Sequence, residues 1–251
     1  MRTSEESILQ IERQKGIMTL TLNRPESANA LSPELTETLI ETLTSAKDVQ
    51  LAVIRGAGRH FCAGFDLSDL EALSDGDLLW RFLRIEILLQ TVHHSPFAVV
   101  ALAQGQAVGA GADLFAACWR RVAAPGLKLR MPGWNFELAL GTRRLTHLIG
   151  TDAARDLLID TRTLSAEECL ARGLASDLAA AEQWPALLED LQQRAGSLSP
   201  RALANMLELT VGDTRDADIA AVVRSAARPG LKDRILAYRE QFKESHGKQQ
   251  S

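Results

Sequence analysis

The sequence predicts an α/β protein with a largely parallel sheet and a helical C-terminal part. Short β-rich runs alternate with helical patterns up to about residue 180, and only helical patterns follow. The runs 51–58 and 97–105 have the apolar composition of strands that are buried on both faces. Hydrophobic residues make up 46% of the 251 residues and charged residues 24%, which suits a chain with a sizeable core. Parallel strands joined by right-handed crossovers are therefore the expected topology.

The first half of the chain begins with two β-rich runs within 8–22, separated by a hairpin turn at Lys15-Gly16. Ser32-Pro33 then opens a helix, because serine is a favoured N-cap and proline fits the first helical position. Leucines repeating every four residues continue that helix. A second helix is expected at about 77–93, and Pro96 ends it.

The second half is expected to be organised by its turn and capping residues. Ser165 and Glu168 form a capping box, and Gly173 ends the helix that they open. The remaining predicted elements are a short helix at 113–118, a strand, turn and strand at 120–133, helices at 151–159 and 184–198, and a helix from Ser199-Pro200. We expect a core at 1–195 and a C-terminal helical region at 196–251. This helical region has to pack against another surface, either the core or another subunit.

Charge and composition exclude several classes of function. The formal net charge is −4 without a Lys/Arg cluster, so neither nucleic acid nor a membrane surface is an expected partner. No apolar stretch reaches the roughly 20 residues that span a bilayer, and the N-terminus lacks a signal-peptide pattern. The three cysteines are widely spaced, which predicts buried reduced thiols in a cytoplasmic protein. No metal-ligand spacing occurs, and no cofactor is expected.

Two glycine-containing loops, each directly after a predicted strand, are the strongest functional signal. The first is F-C-A-G-F-D-L at 61–67, and the second is G-Q-A-V-G-A-G-A-D at 105–113. Small-residue loops and helix N-termini expose backbone N–H groups that bind negative charge. Two such loops can direct two amides at one thioester oxygen and stabilise an enolate or a tetrahedral oxyanion. Either loop alone would be ordinary turn chemistry.

These loops together resemble the paired signature of the enoyl-CoA hydratase (crotonase) superfamily. Further matches are N-R-P at 23–25 with N-A-L at 29–31, G-T-R-R-L at 141–145, and L-S-A-E-E at 164–168. The resemblance covers roughly 8–245. It implies a crotonase-type (ClpP/crotonase) spiral of β-β-α units with a C-terminal helical trimerisation region. It also implies an acyl-CoA substrate and a homotrimer or a hexamer that is a dimer of trimers, with CoA as part of the substrate.

The resemblance also implies site residues in this sequence. The oxyanion N–H donors fall on Phe65 and Ala110, and Ala28 matches a CoA-contact position. The family's first catalytic glutamate falls on Asp113, whose side chain is one methylene shorter. The remaining residues expected to contact substrate or CoA are Ala63, Gly64, Asp66, Leu67, Ser68, Gly109 and Gly133.

The sequence departs from the family at the second catalytic glutamate, where Gly133 stands after Met131-Pro132. A hydratase of the family uses two carboxylates on one water, as base and acid. Asp113 is therefore either a single acid–base residue or only a carboxylate near a helix N-terminus. Glu137 would enter the substrate pocket if the loop between Gly133 and Gly141 follows a different path from that of the family. Otherwise it is a solvated carboxylate.

Other residues carry weaker expectations. Trp134 and Phe136 would line an acyl pocket or pack in the core. His60 would touch substrate or be structural, while His93-His94 would complement a helix end. Arg120-Arg121 is expected in a surface loop or a subunit contact. Lys232, Arg234 and Arg239 would reach CoA phosphates of a neighbouring subunit or be solvated helix charges.

The sequence thus predicts an acyl-CoA enzyme of the enoyl-CoA hydratase/isomerase type that lacks the second carboxylate used in hydration. One carboxylate suits isomerisation, decarboxylation or thioester hydrolysis better than two-carboxylate hydration. The alternative is a non-catalytic acyl-CoA-binding relative. The fold alone does not separate these functions, because one fold supports many reactions.

Overall fold

The computed structural model describes residues 7–247, in which a six-stranded sheet forms the centre of the molecule. The hairpin turn expected at Lys15-Gly16 is confirmed: both residues have positive φ, 50° and 80°, as a two-residue turn requires. The first two strands are antiparallel, and all the other strand pairs of this sheet are parallel. In sheet order the strands are β1 Leu9–Gln14, β2 Ile17–Leu22, β3 Leu51–Gly56, β4 Ala98–Ala103, β6 Arg120–Ala123 and β9 Asp177–Leu178.

A smaller, three-stranded sheet adjoins the loops of interest, and Ala107 in it forms an isolated bridge with Cys62. Its strands, in sheet order, are β5 Gln106–Val108, β7 Lys128–Arg130 and β8 Leu164–Ser165. The chain passes from a strand of the large sheet to a strand of the small sheet and then to a helix, as in β4, β5 and the helix that follows. This arrangement confirms the predicted mixed α/β architecture.

Helices cover the sheets, and several begin at the predicted caps. Ser32 Oγ accepts from Leu35 N, Ser199 Oγ accepts from Ala202 N, and Ser165 with Glu168 forms the expected capping box. The helices are α1 Pro33–Thr44, α2 Asp75–His93, α3 Ala110–Ala117, α4 Thr142–Ile149, α5 Thr151–Asp160, α6 Ala166–Ala171, α7 Trp184–Gly196, α8 Pro200–Thr210, α9 Arg215–Ala226 and α10 Leu231–Gly247.

The C-terminal helices pack on the core at two places. Leu191 of α7 and Leu203 of α8 join the apolar layer of β3 and β4. Val222 of α9 and Ile235 of α10 pack with Phe82 of α2. The start of α10 is fixed to α2, because the carboxylate of Asp75 accepts from Gly230 N and Lys232 N, each at 2.8 Å. The domain boundary at 195/196 falls at the end of α7 and stays a prediction.

Two local expectations were wrong. Helix α3 begins at Ala110 rather than at Asp113, because Gly109 with φ 53° turns the chain directly into the helix. Arg120-Arg121 is not a surface loop, since it opens β6, and the Arg121 guanidinium donates to the carbonyls of Leu174 and Cys118 at 2.7 and 2.9 Å.

The three cysteines are buried and free, as expected. Within residues 7–247, no helix is both long enough and apolar enough to cross a bilayer.

Candidate functional site

A cavity of about 220 Å³ lies between the two glycine-containing loops and α10. About 10–15 Å³ of such volume is enough to hold one water molecule, so the cavity has room for a small organic group. Both candidate amide donors, Phe65 and Ala110, line it, as does Asp113. Trp134 and Phe136 also line it, in agreement with one of their two expected roles. Most of the wall is apolar, and the exceptions among its side chains are Asp113, Arg130, Tyr238 and Arg239.

The first loop is held in place by main-chain hydrogen bonds to the segment before α1. Leu31 N donates to Gly64 O at 2.7 Å, and Asp66 N donates to Leu31 O at 3.4 Å. Ala63 N donates to the carbonyl of Ala28, which has a left-handed φ of 50°. In this parallel bridge the amide of Phe65 faces away from Leu31. The loop therefore presents the Phe65 N–H to its opposite side.

The side chains of Arg24 and Asn29 also hold the first loop in place. Arg24 Nη1 donates to Asp66 Oδ2 at 2.7 Å and to Ala30 O at 2.6 Å. The amide of Asn29, which is fully buried, donates to Ala57 O and His60 O and accepts from Arg24 N. Hydrogen bonds hold the pKa of Asp66 below its ordinary value despite its burial, which favours the protonated form. The Asp66 carboxylate thus organises the loop.

The second loop packs closely against the first, and glycine is required at both contact points. A Cβ on Gly111 would overlap the Cys62 carbonyl. A Cβ on Gly64, whose φ is 88°, would overlap the Val108 carbonyl and lie 3.0 Å from Ala110 N. Phe65 N follows Gly64 directly, so ordinary bond lengths place it within about 7 Å of Ala110 N.

Neither of these amides has an acceptor among the residues that the structure describes. Ala110 is the first residue of α3, where an N–H has no partner within the helix. Two N–H groups that share one oxygen at about 2.9 Å each lie within about 6 Å of each other. Phe65 N and Ala110 N are at most about 7 Å apart, and this limit is compatible with their sharing one oxygen.

Asp113 is a buried carboxyl group on the first turn of α3, and only 6% of its surface is exposed. Its carboxyl makes no hydrogen bond or ion pair with another residue of the range 7–242, in which side chains are described. Burial raises its pKa well above the ordinary value; the nearby Arg144 guanidinium opposes this effect, and the Glu86 carboxylate adds to it. A carboxyl group with a raised pKa at a cavity wall is suited to proton transfer.

Behind Asp113 lies a buried ion-pair network that joins three helices. Arg144 of α4 donates to both carboxylate oxygens of Glu86 of α2, at 3.0 and 2.5 Å. It also lies 3.4 Å from Asp218 of α9. Glu86 is fully buried, and Gln90 donates to it at 3.0 Å. This network sets the charge around Asp113 without entering the cavity.

The other predicted site residues divide into two groups. Ala63, Leu67, Gly109 and Gly133 line the cavity. Outside the lining lie Ala28, Gly64, Asp66 and Ser68, of which the first three support the loops as described above. Their contact with CoA stays a prediction.

The hypothesis that Glu137 enters the cavity was wrong. Glu137 ends a 3-10 helix at Gly133–Phe136 with a left-handed φ of 62°. Its carboxylate pairs with Arg228 at 2.6 Å, away from the cavity lining. Of the three C-terminal cations, Lys232 and Arg239 contact Glu71, and Arg234 donates to main-chain carbonyls. Their role toward CoA phosphates stays a prediction.

The histidines lie outside the main cavity. His60 does not line it, and its Nδ1 is close to Gly105. His93 does not supply a positive charge at its helix end, because burial lowers its pKa to about 4. Its Nδ1 instead lies 3.3 Å from the Ala117 carbonyl.

Arg130 and Tyr238 are cavity residues that sequence reasoning missed. Arg130 is the last residue of β7, and its Nη2 donates to the Tyr238 hydroxyl of α10 at 2.6 Å. The two residues are 108 positions apart, so no local pattern could pair them. A positively charged residue next to the Met131-Pro132 signature was the available signal.

Comparison with known proteins places this chain in a defined family. The sequence model described as enoyl-CoA hydratase/isomerase matches residues 12–243. The probable enoyl-CoA hydratase echA6 of Mycobacterium tuberculosis is 35% identical over 202 aligned residues, and the match covers 77% of this chain and 81% of that protein. The ethylmalonyl-CoA decarboxylase of Gallus gallus is 30% identical over 226 residues, with 84% and 74% covered.

Solved structures agree with the sequence comparison. A crystal structure from Bordetella parapertussis, whose name places it with the enoyl-CoA hydratase/isomerases, has 48% sequence identity and a TM-score of 0.90. The match covers 92% of this chain and 97% of that one. An enoyl-CoA hydratase from Bacillus halodurans, with 22% identity and a TM-score of 0.81, shares the fold.

Proposed function

The chain belongs to the enoyl-CoA hydratase/isomerase family, and from this premise we propose that it is an enzyme that stabilises an acyl-CoA enolate. The amides of Phe65 and Ala110 would donate to the thioester oxygen as negative charge develops on it. One observation carries this proposal: the two amides lack acceptors in the described chain, and they belong to residues that line one cavity together with Asp113.

Asp113 would be the single proton carrier of the reaction. As a carboxylate it removes a proton from C2 of a 3-enoyl thioester, and the electrons move onto the thioester oxygen. The carboxyl group then returns the proton to C4 while the C2–C3 double bond forms, so that no atom is gained or lost. Gly133, which has no carboxylate, stands where hydration needs a second one, and this favours isomerisation over addition of water.

The test is a pair of variants examined with crotonyl-, 3-enoyl- and aromatic acyl-CoAs, with product mass as the readout. Asp113→Asn should abolish turnover of 3-enoyl-CoA while the affinity for the thioester remains. Ala110→Pro removes one N–H at a helix position that tolerates proline, and should lower kcat by about 10²–10³-fold. Ala110→Gly keeps the N–H and is the matched control.

The same measurements separate the alternatives. Addition of water across the double bond would favour a hydratase, and loss of CO₂ from a carboxylated thioester would favour a decarboxylase, the activity named for the Gallus gallus relative. Release of free CoA would favour a thioester hydrolase. Tight binding of every thioester without turnover would establish the non-catalytic alternative and contradict the proposal.

We propose that the active form is a homotrimer, or a hexamer made of two trimers, in the cytoplasm. Exposed apolar side chains on the C-terminal half support an assembly, among them Ile159 at 76% and Leu209 at 85% exposure. Sedimentation velocity would test it, and a monomer at micromolar concentration would contradict it.

A further inference from the structure

We propose that Arg130 binds a carboxylate at the far end of the acyl chain, which the reaction leaves in place. The substrates would then be carboxyacyl-CoA thioesters. This inference rests on the proposed function, because it concerns the acyl part of the same cavity. It specifies the chemical class of substrate, which the family alone leaves open.

The first argument is the charge balance of the cavity wall. Two guanidinium groups line it, Arg130 and Arg239. Arg239 pairs with Glu71 at 2.7 Å, whereas Arg130 has no carboxylate partner among residues 7–242, whose side chains the structure describes. Among the described side chains, the Arg130 guanidinium contacts the hydroxyl and ring of Tyr238 and the ring of Phe242, whose centroid is 4.1 Å away. A cation in a mostly apolar wall is costly unless an anion joins it, and a bound ligand can supply that anion.

The second argument is the position of Arg130 relative to the thioester. Arg130 pairs in register with Val108, and its carbonyl accepts from Gly109 N at 2.8 Å. Neighbouring strands are about 4.8 Å apart, so the backbone of Arg130 lies next to the loop that carries the Ala110 amide. The phosphates of CoA are separated from the thioester by the long pantetheine arm. A carboxylate on a short acyl chain is therefore the anion that this position favours.

The third argument concerns the fate of the carboxylate. A planar guanidinium binds a carboxylate through two parallel hydrogen bonds and stabilises its negative charge. Loss of CO₂ would remove that charge, so pairing with Arg130 opposes decarboxylation of the same group. The recognised carboxylate is accordingly one that stays on the acyl chain, away from the carbon next to the thioester.

The experiment compares glutaryl-CoA with valeryl-CoA, which has the same chain length and a methyl group in place of the carboxylate. Isothermal titration calorimetry on the full-length protein should give at least tenfold tighter binding of glutaryl-CoA. Arg130→Gln should remove this preference, because it lowers the affinity for glutaryl-CoA at least tenfold more than the affinity for valeryl-CoA. Arg239→Gln is the matched control, because its guanidinium is already paired, and it should keep the preference.

Each outcome decides a different point. Absence of the preference in the unaltered protein would overturn the inference, even if Arg130→Gln failed to fold. An equal loss of affinity for glutaryl-CoA, valeryl-CoA and free CoA in Arg130→Gln would assign Arg130 to a CoA phosphate and would also overturn it. Failure of both thioesters to bind would instead contradict the proposed function.

Discussion

Gly141 lies directly against the carboxyl group of Asp113. A Cβ atom on Gly141 would overlap Asp113 Oδ1 and Cγ. Gly141 also has a φ of 65°, in the left-handed region that favours glycine. The position of the Asp113 carboxyl group therefore depends on the absence of a side chain at the start of α4.

We expect Gly141→Ala to move the Asp113 carboxyl group and to lower turnover of the thioester substrate by about tenfold to a hundredfold, because misplacement of about 1 Å has an effect of that order. Steady-state kinetics with the active thioester would measure the change. Gly126→Ala is the matched control: Gly126 also has a positive φ, 82°, but a Cβ there would meet nothing within 4 Å. Equal kcat values in the two variants would refute the positional role.

Stability should depend on pH through Asp113. Its pKa in the folded protein is raised above the ordinary aspartate value, near 3.9, that applies to the unfolded chain. Its contribution to stability is therefore fully present below that value and is lost as pH rises through the folded pKa. Asp113→Asn cannot ionise, so the Tm of this variant relative to the parent protein should increase from pH 4 to pH 9. A Tm difference independent of pH would contradict the assigned cause.

The Glu86–Arg144 pair should be a strong determinant of stability. Arg144→Met leaves the buried Glu86 carboxylate without its cation, which costs about 3–5 kcal/mol for pairs of this kind. Urea denaturation would measure the loss of unfolding free energy. Arg155→Met removes an exposed ion pair with Asp152 and should cost less than about 1 kcal/mol. Equal losses of unfolding free energy in Arg144→Met and Arg155→Met would contradict this prediction.

Asn29 should be needed for the first loop. Asn29→Ala removes three hydrogen bonds of a fully buried side chain and places alanine at a φ of 57°, so we expect a loss of about 2–4 kcal/mol in unfolding free energy. Asn29→Gly relieves the backbone cost but not the lost hydrogen bonds, and separates the two effects. If Asn29→Gly were as stable as the parent protein, the hydrogen bonds would not be what holds the loop.

The sequence was most informative where the structure is determined locally. Ser32, Ser165 and Lys15-Gly16 were predicted correctly because capping and hairpin turns depend on residues within a few positions. The two loops were recognised as a pair, and both line one cavity. Assigning the amides of Phe65 and Ala110 as donors stays a prediction.

The remaining features depend on contacts that are distant in the sequence. Glu86 and Arg144 are 58 residues apart, and a charged residue on a helix gives no local sign that it is buried. Glu137 was placed wrongly because its partner, Arg228, lies in the connection between α9 and α10, far away in the sequence. The β6 strand was predicted within 120–133, but the surface loop also expected at Arg120-Arg121 was wrong, because the backbone pairing of these arginines is decided by a neighbouring strand.

The docking of α10 has a consequence for how the protein acquires its binding capacity. Ile235, Tyr238 and Phe242 line a cavity to which the two glycine-containing loops, at 61–67 and 105–113, contribute from more than 100 residues earlier in the chain. During synthesis the strands and loops leave the ribosome long before this helix, so a partly made chain has no closed binding chamber. A thioester that binds only the completed chamber would draw late folding intermediates toward the native state by mass action.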